Sequence, residues 1–345
     1  MLNLFKNQLA ESLELTGEQI AAAVGQLVDE SVPAKLKADF LCGLARKTET
    51  PAEIAAFARA LRAKSIIPPL DAETRARTIL DVCGTGGDRL NTFNISTTVA
   101  LVCAAAGVTV AKHGNRAVTS QAGSADVLEA LGVKIDLSPR QAADSLRDHH
   151  FAFLFAPHFH PAFRHISAAR KICAQRGERT IFNFLGPLLN PARPSAQLIG
   201  VARPELCETL AQVIQSLGVR RGMVVSGRVG GAWLDELSTL GENSIAEFYQ
   251  DRGFSASMIS PAHFPVQAAA LADLAGGDRE ANAEIIRRLL RGEERGPKRD
   301  AVLLNAGAAL FVAGTTKSIS EGWDLADELL ASGRALAKLE ELAAN

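Results

Sequence analysis

The chain has 345 residues, 47% of them hydrophobic, and its 37 basic and 38 acidic residues give a formal net charge of −1. A chain of this length is more than one small core usually organises, so we expect one large domain or two interlocked domains. The balanced charge provides no excess positive field for a nucleic-acid backbone or an anionic membrane. A small-molecule partner is therefore favoured over nucleic acid or a membrane.

The cysteine and hydrophobic patterns indicate a reducing compartment. The five cysteines are scattered and lack the CxxC spacing of zinc sites and disulfide frameworks. Residues 1–19 interrupt their apolar side chains with polar ones, unlike a signal peptide. The longest apolar stretch, Ala301 to Gly314, is shorter than the roughly 20 residues needed to cross a bilayer, so it predicts a buried helix. We expect a cytoplasmic protein.

The first 75 residues predict a helical module, in which capping boxes begin at Thr16 and Thr50. From Thr78 onwards, short apolar runs alternate with helical segments. The runs predicted as strands are TILDVC, VTVAK, VKIDL, FAFLFA, QLIGV and GMVVSG. This alternation predicts an α/β fold with right-handed crossovers and a largely parallel sheet covered by helices on both faces.

A glycine-rich loop, Gly84-Thr85-Gly86-Gly87-Asp88, follows the first predicted strand. The carboxyl ends of parallel strands open into ligand crevices, and glycines let backbone N–H groups approach an anion closely. A plain strand-to-helix turn would explain the glycines alone. The loop therefore predicts a phosphate site only in combination with the segments that follow.

Two further polar segments are predicted to face the same crevice. Residues 91–97, NTFNIST, place hydroxyls, amides and free N–H groups at the start of a helix, which is more than one N-cap at Ser96 or Thr97 requires. Residues 112–116, KHGNR, supply two cations after the strand VTVAK, and hydroxyl side chains then lead into the next helix. A solvated basic loop is the alternative for KHGNR. A highly phosphorylated ligand would explain all three segments together.

These motifs, with FAPHFHPAFRHISAAR and TIFNFLGPLLNP, resemble the anthranilate phosphoribosyltransferases over about Leu80 to Glu236. The resemblance implies a nucleoside-phosphorylase-like fold. A small helical domain would cover residues 1–75, completed by part of 163–190, and a larger α/β catalytic domain with a mostly parallel, helix-covered central sheet would cover residues 76–345. It also implies transfer of phosphoribose from phosphoribosyl pyrophosphate to the amine of anthranilate in tryptophan biosynthesis, by a homodimer that associates through the helical domain.

Position by position, the resemblance also implies the site residues. Those implied to bind phosphoribosyl pyrophosphate are Gly84, Gly87, Asp88, Thr92, Asn94, Ile95, Ser96, Thr97, Lys112, Asn115, Ser120 and Ser124. Asp235 and Glu236 match the acidic pair of the family, which holds Mg²⁺ together with the hydroxyl of Ser96, and adjacent carboxylates suit this cation. Without the resemblance, a solvated acidic pair would be the ordinary interpretation.

The residues implied to bind anthranilate are Gly84, His113, Asn115 and Arg170. The planar guanidinium of Arg170 suits a carboxylate, although ISAARK is also ordinary surface-helix sequence. No catalytic general base is expected, because the leaving pyrophosphate carries the driving force. The histidines at 158, 160 and 165 lack a nearby acidic or thiolate ligand, which argues against a metal site there.

The chain departs from the family pattern between Arg170 and Thr180, where KICAQRGER makes the segment about three residues longer. Since one helical turn is about 3.6 residues, we expect an extended helix end near Cys173 to Arg176 that keeps Arg170 in phase.

Two rival functions remain. A pyrimidine nucleoside phosphorylase would need a phosphate-loop pattern that is not found, and a nucleic-acid-binding relative would need a basic surface.

Overall fold

The computed structural model describes residues 1–117, 121–249 and 253–345. The chain begins with four helices: α1 (Leu2–Ala10), α2 (Gly17–Val28), α3 (Ala34–Lys47) and α4 (Pro51–Arg62). Thr16 and Thr50 cap α2 and α4 in capping boxes, as predicted. The apolar faces of these helices bury leucines, phenylalanines and alanines in a common core. Burial of these faces holds the module together, because helices of this length are marginal in isolation.

A buried ion pair fixes the start of α4 against the preceding helix. Lys47 Nζ lies 2.7 Å from Glu53 Oε2, and the two side chains are 4% and 1% exposed. Glu53 also accepts hydrogen bonds from the backbone N–H groups of Leu15 and Thr50, each at 2.9 Å. An unpaired buried carboxylate is strongly destabilising, and these bonds provide partners for Glu53. They also join Leu15, which precedes α2, to the connection between α3 and α4.

A later helix, α10 (Ser167–Gln175), packs against α3. Lys37 Nζ donates to the backbone oxygen of His165 at 2.8 Å, and Arg176 Nη1 lies 2.8 Å from Asp39 Oδ1. The division into a helical domain completed from mid-chain and an α/β domain stays a prediction, but these contacts tie α10 to the helical module. The helix continues to Gln175, as the longer segment predicted.

The described residues contain an eight-stranded sheet. Its strands are β1 (Ile79–Gly84), β2 (Thr109–Gly114), β3 (Phe151–Phe155), β4 (Ala196–Gly200), β5 (Arg221–Val229), β6 (Ala232–Leu234), β7 (Asn243–Tyr249) and β8 (Gly253–Ile259). The order is β3-β2-β1-β4-β5-β7-β8, with β6 on β5. The pairs from β3 to β5 are parallel, whereas β6, β7 and β8 pair antiparallel. The predicted mostly parallel sheet beside a small helical module is confirmed.

Helices cover both faces of the sheet. The remaining ones are α5 (Ala72–Ala76), α6 (Ile95–Ala105), α7 (Ser124–Ala130), α8 (Pro139–Asp148), α9 (Ala156–Phe159), α11 (Leu206–Ser216), α12 (Arg279–Leu290), α13 (Pro297–Ala313), α14 (Ile319–Ala331) and α15 (Arg334–Ala343). Successive strand residues face opposite sides. Leu198 packs in the core with α6 and α13, whereas Ile199 packs with α11 and the helical module.

One predicted strand is wrong. Residues 133–137, VKIDL, form no strand and lie between α7 and α8. Val133 and Ile135 are buried in the core of the α6 and α13 face. Their alternation therefore reflects packing of an extended segment on that core, because period-two burial needs no strand partner.

The apolar stretch beginning at Ala301 lies in α13, where nearly every residue is buried, as predicted. Within the described ranges, no helix combines the length and apolar character needed to span a bilayer. The five cysteines are all buried and unbridged.

Candidate active site

Two glycines at the carboxyl ends of neighbouring strands allow Asp235 to pack directly against these strand ends. Gly84 of β1 and Gly200 of β4 are register partners. A Cβ atom at Gly84 would collide with the Asp235 carboxylate, and one at Gly200 would collide with the Asp235 backbone. Asp235 Oδ2 accepts a hydrogen bond of 2.6 Å from the backbone N–H of Gly86. The acidic pair is therefore held against the glycine-rich loop because these two positions have no side chain.

The glycine-rich loop has an unusual backbone. Gly86 and Gly87 have φ angles of 73° and 85°, which glycine adopts at little cost. Arg89 and Asn91 also have positive φ, at 62° and 53°, although they carry side chains. Asp88 Oδ1 accepts a hydrogen bond of 3.2 Å from the backbone N–H of Leu90. Strained backbone of this kind concentrates at ligand sites, which supports the interpretation of this loop as a binding loop.

The side chain of Glu236 contacts the N-terminus of α6. Its Oε1 accepts a hydrogen bond of 3.2 Å from the backbone N–H of Ser96. The N-cap residue is Asn94, whose side chain makes no capping bond, while Ser96 and Thr97 lie inside the first turn. Simple capping by Ser96 or Thr97 is therefore wrong. A carboxylate from a distant loop satisfies the helix end instead, where the helix dipole favours negative charge.

Lys112 is a buried cation close to Ser96 and to Glu236 of the acidic pair. Its Nζ donates to the backbone oxygen of Val82 at 2.7 Å and to Ser96 Oγ at 3.3 Å, and the residue is 1% exposed. Burial lowers the pKa of Lys112, whereas the neighbouring acidic groups, including Asp81 and Glu236, oppose that shift. Lys112 connects β2 to β1 and to the start of α6, so it holds the Ser96 hydroxyl near the acidic pair.

The acidic groups at this edge repel one another. Burial, then the charges of Asp88 and Glu236, raise the pKa of Asp235 well above its usual value. Burial also raises the pKa of Glu236 to about 7, against the opposing effect of Lys112. A divalent cation would relieve this repulsion.

The donor set decides which cation would fit. Among the residues that the structure describes, no three His, Cys, Asp or Glu side chains form a ready metal site. Mg²⁺ commonly binds one or two protein carboxylates together with water and phosphate oxygens. Asp235 and Glu236 therefore fit a magnesium ion shared with a phosphorylated ligand, and the hydroxyl of Ser96 lies on the same helix end.

The NTFN segment is supported by residues that sequence reasoning missed. Thr92 forms an isolated bridge with Ala275. Asn282, buried near the start of α12, donates from Nδ2 to Asn94 Oδ1 at 3.0 Å. A Cβ atom at Gly276 would contact the Phe93 backbone at 2.8 Å. The signal for this contact was the string Gly276-Gly277-Asp278 before a helix, which resembles the other glycine-rich turns.

The second polar loop is only partly described. Ser124 begins α7, and its Oγ donates to the backbone oxygen of Asn115 at 3.5 Å. Arg116 is paired with Asp126 and Glu129, both at 2.9 Å, so its charge is already neutralised and only Lys112 of the two predicted cations faces the acidic pair. Ser120 lies outside the described residues.

A row of rings connects His113 to Arg170, two of the residues predicted to bind anthranilate. His113 lies edge-on to His160 with ring centres 5.1 Å apart, and His160 stacks on Phe163 at 4.9 Å. Phe163 then contacts Phe182 at 6.1 Å, and the guanidinium of Arg170 lies 5.5 Å from the Phe182 ring centre. Arg170 therefore stands at the far end of this row, and no hydrogen bond joins it to Asn115 among the described residues.

The two histidines of this row are uncharged at neutral pH. Burial and the neighbouring His160 lower the pKa of His113 to about 3, and burial lowers the pKa of His160 to about 4. Both values lie well below the ordinary histidine range. The row therefore offers an uncharged aromatic wall with one cation at its end, which suits an aromatic carboxylate.

We expect Gly84→Ala to weaken binding of magnesium phosphoribosyl pyrophosphate by about tenfold or more, because the added Cβ displaces Asp235 and lost contacts to charged groups cost about 1.5–3 kcal/mol. Calorimetric titration measures the affinity, and circular dichroism checks the fold. Gly25→Ala, inside α2 with no atom within 4 Å of the added Cβ, is the control. Wild-type affinity in Gly84→Ala would show that this glycine does not position the acidic pair.

Comparisons with known proteins agree with this architecture. The helical-bundle-domain model of the glycosyl transferase family matches residues 6–65, and the a/b-domain model of the same family matches residues 76–336. The anthranilate phosphoribosyltransferase of Alkaliphilus metalliredigens is 45% identical over 329 residues, which cover 95% of this chain and 94% of that protein. The enzyme of the same name from Geobacter sulfurreducens is 45% identical over 97% of this chain and 96% of its own length.

Solved structures show the same similarity. The crystal structure of anthranilate phosphoribosyltransferase from Thermus thermophilus superposes with a TM-score of 0.89 at 43% identity, covering 98% of each chain. The Saccharomyces cerevisiae enzyme, in complex with phosphoribosyl pyrophosphate and Mg, has a TM-score of 0.88 at 28% identity and covers 99% of this chain and 97% of its own. On its helical bundle, its α/β domain and its full-length similarity, the chain belongs to the anthranilate phosphoribosyltransferases of the glycosyl transferase family.

Proposed function

We propose that the chain transfers phosphoribose from phosphoribosyl pyrophosphate to the amine of anthranilate, giving N-(5-phosphoribosyl)anthranilate and pyrophosphate in tryptophan biosynthesis. The observation that carries this proposal is the acidic pair, which is anchored both on the glycine-rich loop and on the N-terminus of α6. A relative with a TM-score of 0.88 was solved with phosphoribosyl pyrophosphate and Mg. Loss of anthranilate fluorescence, dependent on phosphoribosyl pyrophosphate and Mg²⁺, tests the activity directly.

The donor is proposed to lie between the glycine-rich loop and the starts of α6 and α7. Backbone N–H groups of glycine-rich loops and of helix N-termini suit phosphate oxygens. The proposed contacts are Gly84, Gly87, Asp88, Thr92, Asn94, Ile95, Ser96, Thr97, Lys112, Asn115 and Ser124, with Ser120 in the segment outside the described residues. Asn282 is added as a positioning residue for Asn94.

Magnesium is proposed to bind Asp235, Glu236 and the hydroxyl of Ser96, sharing the phosphate oxygens of the donor. When bound, it supplies positive charge that stabilises the leaving pyrophosphate. Lys112 contacts the Ser96 hydroxyl from the other side and keeps it in place. The chain's own contribution is therefore a fixed arrangement of charges, which needs little reorganisation as the bond to the ribose breaks.

The acceptor is proposed to lie along the row of rings, with its carboxylate near Arg170 and with Gly84, His113 and Asn115 closer to the donor. His113 is buried and neutral, so it lines the space without acting as a base. The aniline-type amine loses its proton after attack, which removes the need for a general base. The rate increase would then come from positioning the two substrates and from excluding water.

The helical domain, residues 1–75 with part of 163–190, is proposed to move relative to the α/β domain, residues 76–345. Arg170 lies on α10, which packs against α3 of the helical module. Closure of the helical domain would therefore carry Arg170 towards the donor loop, and such closures commonly complete catalytic sites. We also propose a cytoplasmic location, which the five unbridged cysteines support.

We further propose a homodimer that associates through the helical domain. Near the N-terminus, Met1, Leu4 and Leu13 are 66%, 68% and 50% exposed. Large exposed apolar side chains commonly mark an interface when they form a continuous patch.

Substituting the acidic pair should change the magnesium dependence of turnover. Asp235→Asn and Glu236→Gln each remove a negative charge with little change of shape, so each should lower the rate by at least about tenfold and raise the Mg²⁺ concentration needed for half-maximal activity. The assay is anthranilate fluorescence across a magnesium titration. Glu242→Gln, an exposed acid six residues further on, is the control. Wild-type magnesium curves for both variants would refute the metal assignment.

Arg170→Ala should reduce kcat/KM for anthranilate by roughly ten- to a hundredfold, since losing a charge-assisted hydrogen bond costs about 1.5–3 kcal/mol. Binding of phosphoribosyl pyrophosphate should change much less. Lys171→Ala, the exposed next residue of α10, serves as the control.

Aniline completes this experiment because it lacks the carboxylate. It should be a poor substrate for the wild type and little affected by Arg170→Ala. Equal losses for anthranilate and aniline would show that Arg170 does not bind the carboxylate, and the acceptor would then have to be identified again.

Leu4→Glu combined with Leu13→Glu should convert the dimer to a monomer in analytical ultracentrifugation, because charges in an apolar interface lack partners. Met258→Glu, at an apolar residue that is 55% exposed on β8, is the matched control and should leave the dimer intact. A wild type that sediments as a monomer, or a double variant that stays dimeric, would contradict the proposed interface.

A further inference from the structure

A cavity of about 420 Å³ lies near the amino-terminal ends of β1 and β4, whereas the acidic pair lies at their carboxyl ends. Three of its lining residues are arginines: Arg62, Arg75 and Arg193. Arg75 lies on α5 before β1, and Arg193 precedes β4, so the cavity borders the amino ends of these strands. The glycine-rich loop follows their carboxyl ends. With β1 six residues long, the two sites are separated by about 20 Å.

Arg62, one of these lining residues, has an unpaired donor group. The residue is 7% exposed, and its Nε donates to the backbone oxygen of Leu188 at 2.6 Å. Its Nη2 is buried without a hydrogen-bond partner among the described residues. A guanidinium carries five N–H donors, and a buried donor that stays unpaired is unfavourable. The described residues therefore leave the Arg62 guanidinium incompletely hydrogen-bonded.

The other two arginines are similarly available. Arg75 Nη1 donates to the backbone oxygen of Ala192 at 2.6 Å, which leaves its other donors for a ligand. The side chain of Arg193 makes no hydrogen bond or ion pair with any residue in the described ranges. Arg193 has a φ of 51°, and its backbone N–H donates to Asn190 at 3.1 Å. A tight, strained turn thus presents this side chain at the cavity.

The charges in the cavity are not balanced locally. No carboxylate is among its lining residues, and none of the three arginines forms an ion pair within the described part of the chain. Burial, then the charge of Arg193, lower the pKa values of Arg62 and Arg75, while Asp81 partly opposes this for Arg62. Like charges held together without a counter-charge favour an anion.

The remaining wall is apolar. Ile67, Pro194 and Leu217 line the cavity beside the arginines, and Ile67 is 44% exposed. The cavity of about 420 Å³ falls within the usual range of small-molecule sites, which is roughly 300–1,000 Å³, and is far larger than an inorganic anion needs. Guanidinium groups on one side and apolar side chains on the other suit a ligand with an anionic group and an apolar body.

We propose that this arginine cavity, formed by Arg62, Arg75 and Arg193, is a second ligand site that binds a small organic phosphate, separate from the donor and acceptor sites. The phosphate would pair with the arginines, and the organic part would contact Ile67 and Leu217. Because Arg62 belongs to α4 and Arg193 to the turn before β4, the ligand would connect the helical module to the sheet.

Phenyl phosphate and inorganic phosphate are suitable probes, titrated by calorimetry into the full chain that is saturated with phosphoribosyl pyrophosphate and Mg²⁺ and contains no acceptor. Saturation fills the donor site, so the remaining binding reports on another site. We expect one phenyl phosphate per chain, bound more tightly than inorganic phosphate. Arg75→Ala combined with Arg193→Ala should weaken it at least tenfold, because two charge-assisted contacts are lost.

The matched control is Arg140→Ala combined with Arg291→Ala, which removes the same charge from exposed positions outside the cavity. It should bind phenyl phosphate like the wild type. Equal affinity in the cavity variant and the wild type would overturn the proposal. Equal affinity for the two probes would overturn the organic ligand. The comparison between variants stays valid even if the chain does not bind phosphoribosyl pyrophosphate, so it is independent of the proposed transferase activity.

Discussion

The arrangement of the candidate active site depends on the close approach of Asp235 to Gly84 and Gly200. These glycines are register partners at the carboxyl ends of β1 and β4, and a Cβ atom on either would displace Asp235. The loop after β6 can therefore lie on the sheet edge, where Asp235 contacts the glycine-rich loop and Glu236 reaches the start of α6. The absence of side chains at Gly84 and Gly200 thus allows the glycine-rich loop, the start of α6 and the loop after β6 to meet, although they are far apart in the chain.

The electrostatics follow from this packing. Burial and mutual repulsion raise the pKa values of Asp235 and Glu236, and the buried Lys112 only partly compensates. Without a cation, these repelling carboxylates therefore lie close to one another. A magnesium ion would supply the missing positive charge, and Mg²⁺ in proteins commonly also binds phosphate oxygens, which is why metal and donor are proposed to bind as one unit.

The proposed active site and the arginine cavity lie at opposite ends of the strands of one sheet, and residues near the helical module contribute to both. Arg170 lies on α10, which packs on α3, while Arg62 of α4 lines the arginine cavity. Arg62 also donates to Leu188, which lies in the loop between the ring row and β4. Ligand binding at one site affects a distant site only when the packed elements between them have alternative arrangements. The proposed closure of the helical module would provide such an alternative arrangement.

Local sequence was enough to predict most of the strand and helix order, the capping boxes at Thr16 and Thr50, and the motifs that indicate the family, because these depend on periodicity and short-range hydrogen bonds. It did not distinguish the packed segment VKIDL from a strand, since period-two burial has two causes. Three-dimensional packing was needed to show that Glu236 satisfies the start of α6, that Asn282 supports Asn94, and that separate arginines meet in one cavity. The contacts of Glu236 and Asn282 join residues 140 and 188 positions apart, and no local pattern encodes which distant side chain fills a given space.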